Sequence, residues 1–496
     1  MKKFICLLLA MLMILSAVAC SNDDVDNKDT TGAENSDVSG SDAADETDGD
    51  AFVPSYTGVF KVGYDRQDIS PDGDIYLKDG THMTGVLDPI YATCIAVNDG
   101  ENTALIFTID VQNIITGPYN NARSIISKAT GVPEANIVLS ATHTHSAPQP
   151  SEPANKSQNL RWDLKFYSAL QNAAKNAIAD LSDAEIHVGA AIAKDMSFVR
   201  RWYLSDGSPS GIWRQNYSNN DRVSYESDSD DVCQLIRFVR DDKKDVLLAS
   251  WGIHFASAIN AAKSSVSADI NAYLRPKTEE LDDDVLFAFY VAPSGNIGLG
   301  PYINGTGTYY SYGKMANDLA KLIVAEQDNL TRVDAGKITS EVKMYTATVR
   351  KDSAAVVAKA QAAADEIGSM DIYSTECYAI CAKYGFESQK EVDSILKRNR
   401  EGRATEDKIQ LTALSFGDIG FAGVPYEMFD TNGVELREAS PFKVTIVLTA
   451  CGGSWGYVPS ALAVSNGGYE VYTTQWVFGT AEKVVEELVE MLKAQK

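Results

Sequence analysis

The chain has 496 residues, 45% of them hydrophobic, and a formal net charge of −24. Its length admits a large core or two closely packed subdomains. The acidic balance excludes the basic footprint that nucleic acid requires and docking on anionic lipid by charge alone, so no nucleic-acid partner is expected.

The first 20 residues read as a leader. Lys2 and Lys3 precede an apolar run over 4–15, which ends in the small residues Ser16-Ala17-Val18-Ala19 before Cys20, the order of a secretory signal. The run is too short to cross a bilayer comfortably. A cysteine in this position resembles the lipobox of bacterial lipoproteins. That resemblance implies cleavage ahead of Cys20, its acylation, and an exported protein lipid-anchored to the bacterial membrane outside the cytoplasm. Residues 21–55 follow as an acidic linker, in which eleven acidic residues face Lys28 alone. So polar a segment cannot bury enough surface to offset its ordering entropy, which makes it a solvated, self-repelling tether.

Residues 56–496 hold the expected folded domain. Helices are predicted over 121–130, 164–181, 353–367, 388–399 and 481–493, the last capped by Thr480 and striped with Val484, Val485, Leu488 and Leu492. Apolar runs bounded by turn residues predict buried strands over 137–139, 246–253, 285–291, 419–424 and 444–448. The alternation points to an α/β fold of mixed sheets with flanking helices. Five cysteines remain beyond Cys20, an odd number with no Cys-x-x-Cys pair. Cys377 and Cys381 lie four apart on one helical face and read as buried thiols.

Two of the five histidines stand two residues apart, in Ser140-Ala141-Thr142-His143-Thr144-His145-Ser146. In extended backbone, residues i and i+2 point to one side, so a strand opening into a loop there would turn both imidazoles into one cavity. Other apolar runs also finish in residues able to bind metal: His254 after Trp251-Gly252-Ile253, Glu427 after Val424-Pro425-Tyr426, and Tyr457 after Trp455-Gly456. Ligands gather at the carboxyl ends of strands in open α/β sheets, and such an N/O set suits zinc. Singly, each also reads as an ordinary core, surface or packing residue.

Together with Val62-Gly63-Tyr64-Asp65-Arg66-Gln67-Asp68-Ile69-Ser70-Pro71 and Asp88-Pro89-Ile90-Tyr91-Ala92, the histidine motif resembles the catalytic domain of neutral ceramidases. The resemblance continues through Ser250-Trp251-Gly252-Ile253-His254, Ser267-Ala268-Asp269-Ile270-Asn271-Ala272-Tyr273-Leu274, Val424-Pro425-Tyr426-Glu427, Gly456-Tyr457-Val458 and Gly468-Tyr469-Glu470, with 336–408 poorly matched. It implies Zn2+ held by His143, His254, Glu427 and Tyr457. It further implies His145 as an acid/base or oxyanion-stabilising group, Arg201 (or its neighbour Arg200) as the substrate-site arginine, and Tyr469 as a donor to the scissile carbonyl.

Two departures stand out. Where ceramidases carry a nucleophilic serine, this chain reads Ser294-Gly295-Asn296-Ile297-Gly298, which places Gly298 at that position. Zinc-activated water is then the first expectation for the nucleophile, ahead of Ser294 and ahead of a site without turnover. The chain also ends soon after Gly479, so the carboxyl-terminal immunoglobulin-like domain of ceramidases is expected to be lacking. The expected function is zinc-dependent hydrolysis of an amide, or less readily an ester, in an N-acylated lipid or related compound. The alternatives are a binding lipoprotein that keeps pocket and zinc without turnover, and a tethered solute receptor.

Overall fold

The computed structural model describes residues 55–77, 80–151, 159–212, 221–256, 264–298, 300–303 and 311–496. The expected leader, Cys20 and all but the last residue of the linker lie outside the described residues. Among the described residues no helix is long and apolar enough to cross a membrane.

Two sheets lie face to face between layers of helices. The larger holds β1 (Lys61–Asp68), β2 (Tyr91–Asn98), β3 (Thr103–Ile109), β4 (Ile137–Ala141), β5 (Ser182–Ile192), β6 (Val232–Arg240), β7 (Asp245–Trp251), β8 (Val285–Val291) and the short β9 (Thr331–Val333). Its order is β8-β7-β6-β5-β1-β2-β3-β4, with β9 on β5. The β3–β4 and β7–β8 pairs are parallel and the rest antiparallel. The second sheet runs β10 (Ile338–Thr348), β11 (Glu406–Phe416), β12 (Ile419–Gly423), β13 (Val444–Leu448), with β12 and β13 parallel.

Why the strands read as unbroken apolar runs is visible in β7. Val246 and Leu248 pack toward the second sheet, against a core shared with Leu414, Phe416, Phe421 and Ile446. Leu247, Ala249 and Trp251 face the opposite way, onto α3 (Asn271–Leu281) and α4 (Tyr312–Ala325). A strand covered on both faces has no polar side. The helices α1 (Thr116–Thr130) and α2 (Leu160–Ala179) cover the other half of that outer face. The outer face of the second sheet is covered by the final helix, Thr480–Lys493, which buries Val484, Leu488 and Leu492; each contributes about 1.5–3 kcal/mol by leaving water.

Element boundaries differ from expectation in small, explicable ways. Strands 285–291 and 444–448 form as predicted, but α1 begins earlier, at Thr116, because Pro118 is tolerated in a first helical turn. The cap position of the final helix falls on Gly479, with φ 85°; Thr480 is its first residue and donates its hydroxyl to Val477 O. Within 336–408, α5 (Ala354–Ile367), α6 (Thr375–Tyr384) and α7 (Gln389–Asn399) form a small helical layer with its own core of Ala360, Ala363, Ile367, Ile380, Val392 and Ile395. Cys377 and Cys381 are buried there as free thiols.

Candidate metal centre and active site

The site lies where strand ends from both sheets meet. His143 follows β4, His254 follows β7, and Glu427 and Tyr457 follow β12 and β13 on two short strands that pair directly, Glu427 opposite Tyr457. A bridge between Ser140 and Cys451 joins the two sides. His143, His145 and His254 present ring nitrogens that all lie within 4.8 Å of one another.

The way His143 and His145 converge differs from expectation. β4 ends at Ala141, and His143 takes the left-handed conformation, φ 62°, which a non-glycine residue adopts only when its surroundings enforce it. The turn, not the alternation of a strand, brings the two rings together, 4.9 Å apart and edge to face. Its surroundings are well built. His145 N donates to Phe255 O (2.9 Å), Ser267 N to Ser146 O (3.0 Å), and the Thr144 hydroxyl to Ser267 O (2.9 Å). The Ser267 hydroxyl in turn donates to Asp88 (2.6 Å), so two of the segments that carry the sequence resemblance brace the histidine loop.

His143 Nδ1–H donates to Gln112 O at 2.9 Å. A carbonyl only accepts, so this contact fixes the tautomer and turns the Nε2 lone pair toward Glu427, 3.3 Å away. His143 Nε2 and Glu427 Oε2, which face each other, are buried without a hydrogen-bond partner, and His254 Nε2 stands 3.1 Å from His145 Nε2. Buried lone pairs facing each other are unfavourable unless something positive lies between them. A tetrahedral ion with bonds of about 2.0–2.1 Å keeps its ligand atoms about 3.3–3.4 Å apart, which the His143–Glu427 spacing matches. The residues therefore fit a metal ion.

The electrostatics sort the three imidazoles. Burial lowers the pKa of His143, but the charge of Glu427 and its contact raise it overall. Burial, followed by the charge of His143, brings His145 down to about 3. Burial and the charge of Arg200 push His254 well below the ordinary range. Burial would raise Glu427, yet His143, His254 and the Tyr457 hydroxyl hold its carboxyl well below the usual range.

Of the paired arginines, the structure brings Arg200 to the cluster and turns Arg201 away. Arg201 is bonded to Glu226 (2.7 and 2.9 Å), Glu470 (2.9 Å) and the Gly467 and Ala463 carbonyls (2.7 and 3.2 Å). Arg200 donates through Nε to Glu470 (2.8 Å) and lies 5.2 Å from the centre of the Tyr457 ring, with Nη2 buried and unpartnered. Consecutive residues on an extended stretch point to opposite sides; the residue types gave no hint of which side held the site. Tyr469 stands edge-on to Tyr457, ring centres 5.4 Å apart, so it too reaches the cluster.

Gly295 and Gly298 belong to the turn that carries Arg200's backbone, since Arg200 N donates to Asn296 O. A Cβ on Gly295 would fall 2.6 Å from Glu427 O, and one on Gly298 would fall 2.2 Å from the Tyr302 hydroxyl. The first glycine allows the carboxylate strand to approach. The second has its side-chain space filled by Tyr302, which stacks on Trp202. Ser294 is buried in the same turn, where its carbonyl accepts from Ile297 N. Sequence reasoning missed Gln112, Glu470 as the bridge between the arginines, and Lys390. Lys390 reaches the site from α7, over the Tyr469 ring at 5.2 Å; it lies in the stretch where no motif was legible.

The sequence matches no family model and no curated protein. Solved structures do match. Neutral ceramidase from Pseudomonas aeruginosa superposes with a TM-score of 0.62 at 15% identity, over 88% of this chain and 74% of that one. A ceramidase complexed with C2 gives the same score and identity, over 88% and 75%. The chain is therefore a mixed α/β protein with the neutral ceramidase fold over most of its length.

Proposed function

We propose that the protein is a zinc-dependent amidohydrolase that cleaves the amide bond of an N-acylated lipid or related compound, with water as nucleophile. The observation that carries this reading is the convergence of three imidazoles and the orphaned Glu427 carboxylate oxygen at strand ends of a fold shared with neutral ceramidases. His143, His254, Glu427 and Tyr457 would hold the ion, with His145 beside it. Zinc held there would supply Lewis acidity and would lower the pKa of water toward about 7.

The chain's own groups do the rest. His145 stands beside the proposed ion, its Nε2 3.1 Å from His254 Nε2, so it can take a proton from the attacking water and return it to the departing amine. Tyr469 and the unpartnered Nη2 of Arg200 donate to the carbonyl oxygen as it gains charge. Arg200 thus takes the part that the sequence resemblance gave first to Arg201. Water is the nucleophile in this reading because Gly298 offers no side chain, and Tyr302 occupies the space one would need.

We further propose that residues 1–20 are removed, that acylated Cys20 anchors the protein to the membrane outside the cytoplasm, and that 21–55 tether the domain 56–496 to it. The test is release of fatty acid from N-acyl substrates by the purified protein, abolished by chelator and restored by zinc. Bound zinc without turnover of any amide or ester would instead favour the binding lipoprotein.

A further inference from the structure

A row of alternating cations and rings leads away from the metal cluster. Arg200 lies over the Tyr457 ring (5.2 Å), Tyr457 meets Tyr469 edge-on (5.4 Å), and Lys390 lies over Tyr469 (5.2 Å) and Tyr373 (5.7 Å). The last cation is delivered by α7, in the helical layer outside the sheets. That delivery is firm. The Ser388 and Tyr472 hydroxyls meet at 2.9 Å, and Arg398, 1% exposed, donates to Tyr472 O (2.8 Å) while pairing with Asp352 (2.5 Å). α7 is thereby fixed to the short helix Tyr469–Thr473 that carries Tyr469.

Two positive groups so placed make poor company for a hydrocarbon chain and good company for an anion. Burial with the charge of Arg200 lowers Lys390 from its ordinary pKa. An anion bound along the row relieves that repulsion. Glu470 is engaged with both arginines and Glu427 with His143.

We propose that Lys390 is a specificity-determining residue, and that the preferred substrate is an N-acyl compound whose amine portion carries an anionic group, a carboxylate, sulfonate or phosphate, seated between Arg200 and Lys390. This rests on the amidohydrolase reading given above. The acyl chain then leaves the scissile bond on the side away from the row.

The test uses the zinc-loaded protein with three N-dodecanoyl amines, of glycine, of taurine and of ethanolamine, and reads the ratio of kcat/KM for each anionic substrate to the neutral one. The ratio is expected to exceed about tenfold, the size of one charge-assisted contact. It should fall by about that factor in Lys390→Met and be kept in Lys390→Arg, while raised salt lowers it in wild type. Calorimetric binding of dodecyl sulfonate against dodecanol, in wild type and Lys390→Met, reads the subsite without turnover. Equal kcat/KM values, or a preference for sulfonate that survives Lys390→Met, overturn the proposal. Sulfonate binding that depends on Lys390 in a protein that hydrolyses none of the amides supports the subsite and overturns the hydrolase reading instead.

Discussion

His143 combines a left-handed backbone with a tautomer fixed by Gln112 and a free lone pair aimed at Glu427. Such strain is retained where neighbours over-determine it. Its ring is a metal ligand in the proposed site, whereas His145 acts on protons, and the two roles are separable. His143→Ala is expected to lose zinc by metal analysis. His145→Ala is expected to keep zinc yet lose about 10²–10⁴ in kcat; equal zinc loss in both variants would place His145 in the coordination shell. Gly298 gives a second residue-level expectation. Gly298→Ser forces its Cβ into the Tyr302 hydroxyl, and Tyr302 is held by Trp202 and by Arg222, which donates to its carbonyl (2.9 Å). The variant should lose about 1–2 kcal/mol of stability by overpacking and form no acyl-enzyme in burst kinetics. Adding Tyr302→Phe, which removes the nearest atom but keeps the ring on Trp202, should recover part of the stability, and a serine that acylates would refute the exclusion of a side-chain nucleophile at 298.

Among the elements, a buried ion pair helps tie the helical layer to the second sheet. Asp352, just past β10, accepts from Arg398 of α7 and from Asn399. Burial raises its pKa, but those hydrogen bonds and the charge of Arg398 bring it below the ordinary value. A carboxyl depressed in the folded state stabilises above its unfolded pKa, and that share is lost as pH falls through the folded value. Asp352→Asn should therefore cost about 2 kcal/mol at pH 7, less than a fully buried pair because Asp352 keeps 16% side-chain exposure. It should also flatten the fall of stability below about pH 4, the range where an unfolded Asp titrates; urea midpoints across pH check both. The same elements show what was legible beforehand. Strands covered on both faces, such as β7 and β8, announce themselves as apolar runs, and the chemistry at their ends follows from residue type. The pairing of Glu427 with Tyr457 was not legible, because two-residue strands leave no period to read. Neither was which of Arg200 and Arg201 faces the cluster, since Arg201 is held by Glu226, 25 residues on, nor the approach of Lys390, which depends on how α7 docks.

For the molecule as a whole, a ligand that binds only the folded state raises its stability by RT ln(1 + [L]/Kd). Zinc should therefore raise the melting temperature in proportion to the logarithm of its concentration, and chelation should reverse this. Indifference of Tm to zinc would count against a preformed site. The placement of the proposed ligands has a temporal consequence as well. His143 and His254 leave the first sheet, while Glu427 and Tyr457 leave the second, whose strands β12 and β13 come from the last fifth of the chain. Contacts of such long sequence separation form late, since the intervening loop must first be closed. A half-made molecule can thus hold two imidazoles and no carboxylate. In stopped-flow refolding with a zinc-sensitive dye, tight uptake should lag behind recovery of secondary structure, making metal capture a clock for the moment the two sheets close on each other.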